Sequence, residues 1–341
     1  MLYIGLEVGV GALAFVGNGL ICCSILAAPT MQRVTNYFIA SQAAADMMVG
    51  VLAVPFALIM HFSLPMSPHC CRFLGVFILL LTQTSIFSLL AIAGDRCLYV
   101  SAPLRYHSLM TSRRIKNSIV ALWLFSFTIV LVPYLIWHYC DLRSEANATL
   151  TLNVQGLLWR PSERWDHTPL EAAPEPRCTP ARTCPPGTLD SAVPCVFEAV
   201  MELRFMVYFN FLCCVLPSLL LLLALYSHLF WVAHGHLCRM AKEQSGGGGG
   251  HCRSSLLGEL RAARSLSLVV GVFAVCWLPL HVRNCVVVFC PGCGQPAPWL
   301  TYLSIVLSHS NSAINPFIYA FQTLQFRTTF RRTVASIFVH H

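Results

Sequence analysis

Asn315-Pro316-Phe317-Ile318-Tyr319 lies within the last of seven apolar stretches in this chain of 341 residues. The proline breaks a helical hydrogen bond and predicts a kink in a stretch long enough to form a helix. Each of the other six stretches carries a polar or proline mark of its own. In order, these marks are Gly17-Asn18, Asp46, Asp95-Arg96, Trp123, Pro217 and Cys276-Trp277-Leu278-Pro279. The seven stretches run over residues 4–28, 36–61, 72–100, 116–138, 203–232, 262–289 and 298–321.

The composition predicts a membrane protein. The chain is 56% hydrophobic and 11% charged, whereas a soluble domain carries about a quarter charged residues. About 20 apolar residues in a helix cross the hydrocarbon core, where water cannot satisfy the backbone amides. We therefore predict an all-α membrane protein, a bundle of seven transmembrane helices. The first stretch is too long for a signal peptide and lacks a basic flank, so we expect it to remain as a helix.

The basic residues divide unevenly between the two sides of the predicted bundle. With the N-terminus outside, the inner segments hold 14 of the 22 Lys and Arg residues. Cytoplasmic loops are enriched in Lys and Arg, so we predict an outside N-terminus and a cytoplasmic C-terminus. The basic residues are split among short loops, which argues against nucleic acid as a partner.

The sequence predicts one membrane domain over residues 1–321 and a short tail. Two connections are long: an outer loop at 139–202, and an inner loop at 233–258 with five consecutive glycines. The outer loop contains Asn147-Ala148-Thr149, a predicted glycosylation site. In the tail, 322–341, apolar residues recur at helical spacing beside arginines, which predicts an amphipathic helix on the inner membrane surface.

The seven marks, in this order, resemble those of the class A (rhodopsin-like) G-protein-coupled receptors, and the resemblance covers nearly the whole chain. It implies a multi-pass protein of the plasma membrane that activates a heterotrimeric G protein. Catalysis has no support, since the sequence shows no paired acid and base, metal-ligand or nucleophile motif.

Asp46 is a carboxylate in the middle of the second stretch, where a charge is costly and marks a functional candidate. The resemblance implies an allosteric sodium site, whose further ligands would be Ser85, Asn311 and Asn315. The alternative is a protonated, hydrogen-bonded structural acid. Apart from this ion, we expect no cofactor.

The resemblance also implies a switch at the inner end of the bundle. The matching residues are Asp95, Arg96, Glu259, Tyr226, Pro316 and Tyr319. In the family, the aspartate and arginine lock the inactive state and the arginine also reaches an acid on the sixth helix. The proline lets the inner end of the seventh helix move, and the tyrosines swing inward. Cys97 stands where the family usually has tyrosine.

Several stretches narrow the resemblance to the adenosine receptors. They are Thr35-Asn36-Tyr37-Phe38, residues 81–91, Pro103-Leu104-Arg105-Tyr106, residues 206–211, residues 276–281 and Leu307-Ser308-His309. The resemblance implies adenosine as the ligand. Cys276-Trp277 and the turn Cys290-Pro291-Gly292-Cys293 are most similar to the subtypes that couple to Gs and raise cAMP.

By this resemblance, ligand residues converge from six segments of the chain. They are Glu7, Thr82, Phe197, Glu198, Met206, Asn210, Trp277, Leu280, His281, Asn284, Ile305, Ser308 and His309. Phe197 would stack on the adenine ring, while Asn284 and Glu198 would bind its polar edge. Glu7 would orient His309 towards the ribose.

The residue types also favour such a ligand directly. Trp277, His281 and Asn284 share one face of the sixth helix by their spacing. An amine ligand would need a carboxylate on the third helix, where Ile78 stands at the corresponding place. A flat, neutral heteroaromatic with a polar sugar fits helix faces that carry uncharged hydrogen-bonding groups.

Eight cysteines fall on the predicted outer side and permit 105 pairings. We predict a bridge between Cys71 and Cys195, which would fix Phe197 over the pocket, and a local bridge between Cys290 and Cys293. The remaining candidates are the pairs Cys70–Cys140 and Cys178–Cys184. Two alternative functions stay open: a receptor of the same fold with a different or lost ligand, and a membrane transporter.

Overall fold

A computed structural model of the chain describes residues 1–27, 36–157, 193–197, 201–243 and 250–322. Seven long helices run through these residues, in the order α1 (Leu2–Ala27), α2 (Asn36–His61), α3 (Pro68–Ser101), α4 (Ser112–Leu157), α5 (Phe205–Val215 and Leu216–Glu243), α6 (Gly250–Phe289) and α7 (Pro298–Gln322). A short helix, Pro103–Leu109, joins α3 to α4. The predicted seven-helix bundle is confirmed.

The helices close into a ring with α3 at its centre. α7 packs against both α1 and α6, α6 packs against α5, and α3 packs against α2, α4 and α5.

Glycines permit the closest approaches of α1. A Cβ on Gly50 of α2 would lie 2.5 Å from the carbonyl oxygen of Gly11, and a Cβ on Gly17 would lie 2.8 Å from Cγ of Pro316. Asn18 then joins α1 to α7, because its Nδ2 donates to the carbonyl oxygen of Ser312 at 2.9 Å.

Six of the described helices contain segments long and apolar enough to cross a membrane, and α7 is not among them. The sequence predicts an apolar stretch at α7, and polar residues on the side that faces the bundle explain why its hydropathy is lower than that of the other helices. This side carries six buried polar residues, which are Ser304, Ser308, His309, Asn311, Ser312 and Asn315. Since these face neighbouring helices, they lower the hydropathy of the stretch without exposing polar groups to lipid.

Two helices widen locally beside a proline. α2 is π-helical over Val49–Ala53 and α5 over Phe205–Val215. In each case the residue just before Pro55 or Pro217 donates its N–H to the carbonyl oxygen five residues earlier. Proline has no N–H with which to continue the usual ladder, so the turn before it becomes wider. The wide turns of α5 shift the faces of its side chains at the level of the predicted pocket.

Both long connections contain more helix than the sequence analysis predicted. α4 continues to Leu157, well into the predicted outer loop 139–202. α5 ends at Glu243 and α6 begins at Gly250, so helix occupies much of the predicted inner loop 233–258. No proline lies in either helical extension, so every residue there has the backbone N–H that a helix needs. The predicted tail helix beyond Gln322 lies outside the described residues.

Two disulfides define one end of the bundle, which we call the disulfide end. Cys71 near the start of α3 bonds to Cys195, and Cys290 bonds to Cys293, so both predicted bridges are confirmed. Strands β1 (Pro65–Met66) and β2 (Val193–Pro194) pair antiparallel beside the first bridge. Cys70 forms no bond with any described cysteine, and its predicted partner lies outside the described side chains. We call the opposite end, where α3 carries Arg96, the arginine end.

Candidate functional site

One face of α6 forms the floor of the predicted pocket. Trp277, His281 and Asn284 are all buried there. The His281 ring stacks on Phe211 of α5, with ring centroids 4.6 Å apart and planes 14° apart, and lies 6.1 Å from the Trp277 ring. Neither ring nitrogen of His281, nor Nε1 of Trp277, has a hydrogen-bond partner among the described residues. Because buried polar groups are costly when unpaired, these three nitrogens favour a polar ligand at this floor.

A second side of the site comes from α3 and α5. Met206 and Asn210 lie buried in the π-helical part of α5. Gln83 of α3 donates a hydrogen bond from its Nε2 to Oδ1 of Asn210. Thr82, half-buried beside it, donates its hydroxyl to the carbonyl oxygen of Leu79 at 2.8 Å. The hydroxyl hydrogen of Thr82 is thereby used, and its lone pairs remain to accept a hydrogen bond from a ligand.

The third wall joins α7 to α1. Nδ1 of His309 donates to Oε2 of Glu7 at 2.7 Å, and both side chains are buried. This fixes the ring of His309 with its other nitrogen, Nε2, turned away from α1. Ser308 donates to the carbonyl oxygen of Ile305 at 2.7 Å and, like Thr82, keeps its acceptor lone pairs. The structure thus joins Glu7 to His309, as the resemblance implied.

Phe197 and Leu280 are two half-buried apolar residues of the site. Phe197 is half-buried two residues after the disulfide cysteine of its segment, and its carbonyl oxygen accepts from the N–H of Met201 at 2.8 Å. Its ring packs against the apolar clusters formed by α2, α3 and α5. Leu280 is half-buried beside His281. Glu198, the predicted partner of the adenine amine, lies outside the described residues.

Asn284 has a neighbour that changes what it can offer a ligand. Nη1 of Arg283 donates to Oδ1 of Asn284 at 3.1 Å. An amide side chain has two N–H groups and two acceptor lone pairs, and this bond takes one lone pair. Asn284 keeps two donors and one acceptor site for a ligand, with a guanidinium group beside them.

A second buried polar cluster lies in the middle of the bundle around Asp46, which is fully buried. Oδ1 accepts from the hydroxyls of Ser85 and Ser312 at 3.0 and 2.8 Å. Oδ2 accepts from Nδ2 of Asn315 at 2.7 Å and from Nε2 of Gln42 at 3.0 Å. Carboxylate and hydroxyl oxygens are ligands that suit a hard cation, so the donor set around Asp46 fits a sodium ion.

The central cluster differs in membership from the predicted one. Ser85 and Asn315 contact Asp46 as predicted, whereas Asn311 is buried on α7 and is not among the side chains that donate to Asp46. Gln42 and Ser312 were missed, and so was Gln83 near the pocket. Their common signal is an uncharged polar residue in an apolar stretch, adjacent to a predicted site residue or about one helical turn from it.

The arginine end contains the predicted switch residues. Asp95 is buried and its Oδ1 accepts from the hydroxyl of Tyr106 at 2.9 Å, which joins the short helix Pro103–Leu109 to α3. Tyr226 of α5 and Tyr319 of α7 are also buried. Sγ of Cys97 lies 3.5 Å from Nδ1 of His228, a contact between α3 and α5.

Two predicted residues have side chains outside the described part of the chain. Glu259, the predicted acid of the switch, lies on α6, and Asn147, the predicted glycosylation site, lies on α4. Their roles remain predictions.

Comparison with known proteins gives a consistent result along nearly the whole chain. The family described as 7 transmembrane receptor (rhodopsin family) matches residues 17–149 and 180–319. The chain is 42% identical over 334 residues to the adenosine receptor A2a of Homo sapiens, covering 98% of this chain and 72% of that protein. It is 40% identical over 335 residues to the human adenosine receptor A2b, covering 98% of this chain and 90% of that protein. The A2a receptor of Canis lupus familiaris is 42% identical over 334 residues, with the same coverage as the human A2a protein.

Proposed function

Because the chain belongs to the rhodopsin family of seven-transmembrane receptors and, within it, to the adenosine receptors, we propose that it binds extracellular adenosine and activates a Gs-type G protein. It is a multi-pass protein of the plasma membrane. In the proposed orientation the N-terminus and the disulfide end lie outside the cell, and the arginine end and the C-terminus lie in the cytoplasm.

The observation that carries the ligand proposal is the set of buried nitrogens on α6. His281 and Trp277 have three ring nitrogens without a partner among the described residues, on the helical face that also bears Asn284. The His281 ring is 1% exposed and stacks on Phe211, so solvent does not supply partners for its nitrogens. A ligand with hydrogen-bonding groups spread over a flat heteroaromatic and a sugar would meet such nitrogens.

Each wall of the pocket then has a task that matches part of adenosine. Phe197 and Leu280 supply apolar faces for the adenine ring, and Asn284 supplies two donors and one acceptor for its edge, where Glu198 would add a carboxylate. Thr82 and Ser308 would accept from ribose hydroxyls, because their own hydrogens are already bonded to helix carbonyls.

Four further side chains complete the proposed contacts. His309 would bind the ribose through Nε2, since Nδ1 is held by Glu7. Ile305 would pack against the ring from α7, and Met206 and Asn210 would close the pocket from α5.

The signal would pass from the pocket to the arginine end through α6 and α7. Pro279 and Pro316 each lie inside one of these helices, where they remove backbone hydrogen bonds and permit the ends to bend. In the inactive state Asp95 and Arg96 would hold the arginine end closed together with Glu259. Opening of this end would let Tyr226 and Tyr319 turn inward and expose a site for the G protein.

We propose in addition that a sodium ion acts at the central cluster as an allosteric ligand. Asp46 and Ser85 would hold it directly, with Asn311 and Asn315 as the further predicted ligands. When bound, the ion would compensate the buried carboxylate and favour the inactive packing of α2, α3 and α7.

One observation favours a second candidate, a receptor of the same fold with a different ligand. The guanidinium of Arg283 lies against the amide oxygen of Asn284. The resemblance places the polar edge of adenine at this amide. A ligand with an acceptor or a negative charge at that edge would suit Arg283 better than an amine does.

Adenosine-dependent cAMP in transfected cells tests the proposal. We expect cAMP to rise with adenosine dose in cells that express the protein, and to require at least about tenfold more adenosine in cells that express an Asn284→Ala variant at the same surface level. A G-protein response to another nucleoside, with none to adenosine, would establish the second candidate. Uptake of labelled adenosine without any cAMP response would instead indicate a transporter.

A further inference from the structure

Gln42 lies at the centre of the cluster around Asp46, and no role was predicted for this residue from the sequence. It precedes Asp46 by four residues on α2, so both side chains lie on the same helical face. Gln42 is fully buried, and its Nε2 donates to Oδ2 of Asp46 at 3.0 Å and to Oγ of Ser85 at 2.8 Å. The amide nitrogen therefore lies between two of the oxygens that would hold the proposed sodium ion.

Only the amino group of the Gln42 side chain can make these two contacts. The carboxylate of Asp46 is an acceptor, and the hydroxyl of Ser85 already donates its hydrogen to Oδ1 of Asp46 at 3.0 Å. Turning the amide over would bring Oε1 against the carboxylate, oxygen against oxygen. In the observed orientation Oε1 has no hydrogen-bond partner among the described residues, so the bonds to Asp46 and Ser85 are what fix the amide.

The carboxylate of Asp46 is saturated by these contacts. It accepts from Ser85, Ser312, Asn315 and Gln42, and an ionised carboxylate has about four lone-pair sites. Two of these donors are hydroxyls, which rotate freely and can present a lone pair to a cation instead. The N–H groups of Gln42 and Asn315 have no lone pair to present, and of the two side chains only Gln42 contacts Ser85 as well as Asp46. Its amide must therefore leave before a cation can contact both Asp46 and Ser85.

We propose that the Gln42 carboxamide is a built-in competitor of sodium at the Asp46 site. Its two N–H groups meet the same two oxygens that the cation would meet, and they hold α2 to α3 without an ion. Sodium binding then requires that both hydrogen bonds break, and Gln42 lowers the affinity of the site for sodium. The inference rests on the proposed sodium site and identifies the residue that sets its affinity.

Thermal unfolding of the purified receptor in detergent tests this inference without any ligand or G protein. The unfolding midpoint is measured over a series of sodium chloride concentrations, with choline chloride added to keep the ionic strength constant. The variants are Gln42→Leu and Gln42→Met, of which the methionine keeps the length and unbranched shape of the side chain. Gln83→Met is the matched control, because Gln83 is a buried glutamine that bonds to Asn210 rather than to Asp46.

Loss of the two hydrogen bonds should lower the sodium concentration for half-maximal stabilisation about tenfold in both Gln42 variants. Gln83→Met should keep the wild-type value, and adding Asp46→Asn to Gln42→Met should abolish the sodium effect. For the Gln42 variants, the same shift is expected in sodium-dependent agonist binding in membranes, which serves if a variant is unstable in detergent.

Three results would overturn the inference, and they separate it from the sodium proposal. An unchanged sodium concentration in both Gln42 variants, with the effect still lost in Asp46→Asn, would leave the sodium site in place and remove Gln42 as its competitor. A higher concentration would identify the amide as a ligand of the ion. An absence of any sodium effect in the wild type and in both Gln42 variants would refute the sodium site together with the inference.

Discussion

Replacement of Asn284 by alanine is the sharpest test of the ligand pocket. Asn284 is 4% exposed and lies on the same face of α6 as Trp277 and His281, so its amide points into the bundle. One of its acceptor lone pairs is taken by Arg283 at 3.1 Å. The amide retains two donors and one acceptor site, which match an adenine edge that presents a ring nitrogen beside an amino group.

The magnitude follows from the groups that lose their partners. A buried polar group left unmet costs about 1–3 kcal/mol, and every 1.4 kcal/mol is about tenfold in affinity. Asn284→Ala should therefore weaken adenosine binding at least tenfold, and by about a hundredfold if both adenine hydrogen bonds are lost. Asn284→Asp keeps the shape but loses the donor, and the new carboxylate would pair with the adjacent guanidinium of Arg283, so this variant should fail as well.

The assay is saturation binding of a labelled adenosine analogue to intact cells, normalised to surface expression of a tagged receptor. Expression should survive, because the substitution removes little core volume. Near-wild-type binding by a well-expressed Asn284→Ala receptor would refute both the position of Asn284 in the pocket and the adenosine proposal that depends on it.

Three further predictions concern the frame that supports this pocket. Asp46→Asn should make agonist binding insensitive to sodium, as measured by competition binding in sodium and in choline; a sodium effect that is absent from the wild type and from both Gln42 variants would contradict the ion site. Cys71→Ser should lower the stability of the fold by about 2–4 kcal/mol and abolish ligand binding, since it opens a disulfide that spans 124 residues. Peptide mapping that found a free thiol at Cys71 in the folded wild type would exclude the bridge. Gly50→Ala should cost about 1–3 kcal/mol in thermal unfolding, because its Cβ would lie 2.5 Å from the backbone oxygen of Gly11. Gly9→Ala is its control, since a Cβ there meets nothing within 4 Å, and equal stability of the two variants would count against the close approach of α1 and α2.

The number and order of the helices could be predicted from the sequence because they depend on local properties. A run of about 20 apolar residues forms a membrane helix whatever its neighbours are. The polar marks within these runs, such as Asp46 and Pro316, identified the family and with it the two confirmed disulfides. Helix ends were less predictable. Composition indicated loops at 139–202 and 233–258, whereas α4 continues through the proline-free residues 139–157 and α5 and α6 extend into the second loop.

The partners of each polar residue were decided by the tertiary structure. Ser312 and Asp46 are 266 residues apart in the chain and bond at 2.8 Å, because α7 and α2 are turned so that these two faces meet. Spacing along a helix indicates which residues share a face, but not the rotation of that helix against its neighbours.

The π-helical turns of α5 also decide a contact that helical spacing does not predict, since they move Asn210 to where it meets Gln83. Gln42 is the clearest case of a polar residue whose partners were decided by the tertiary structure. The sequence contains a glutamine in an apolar stretch, and only the approach of α3 to α2 makes its amide a bridge between Asp46 and Ser85.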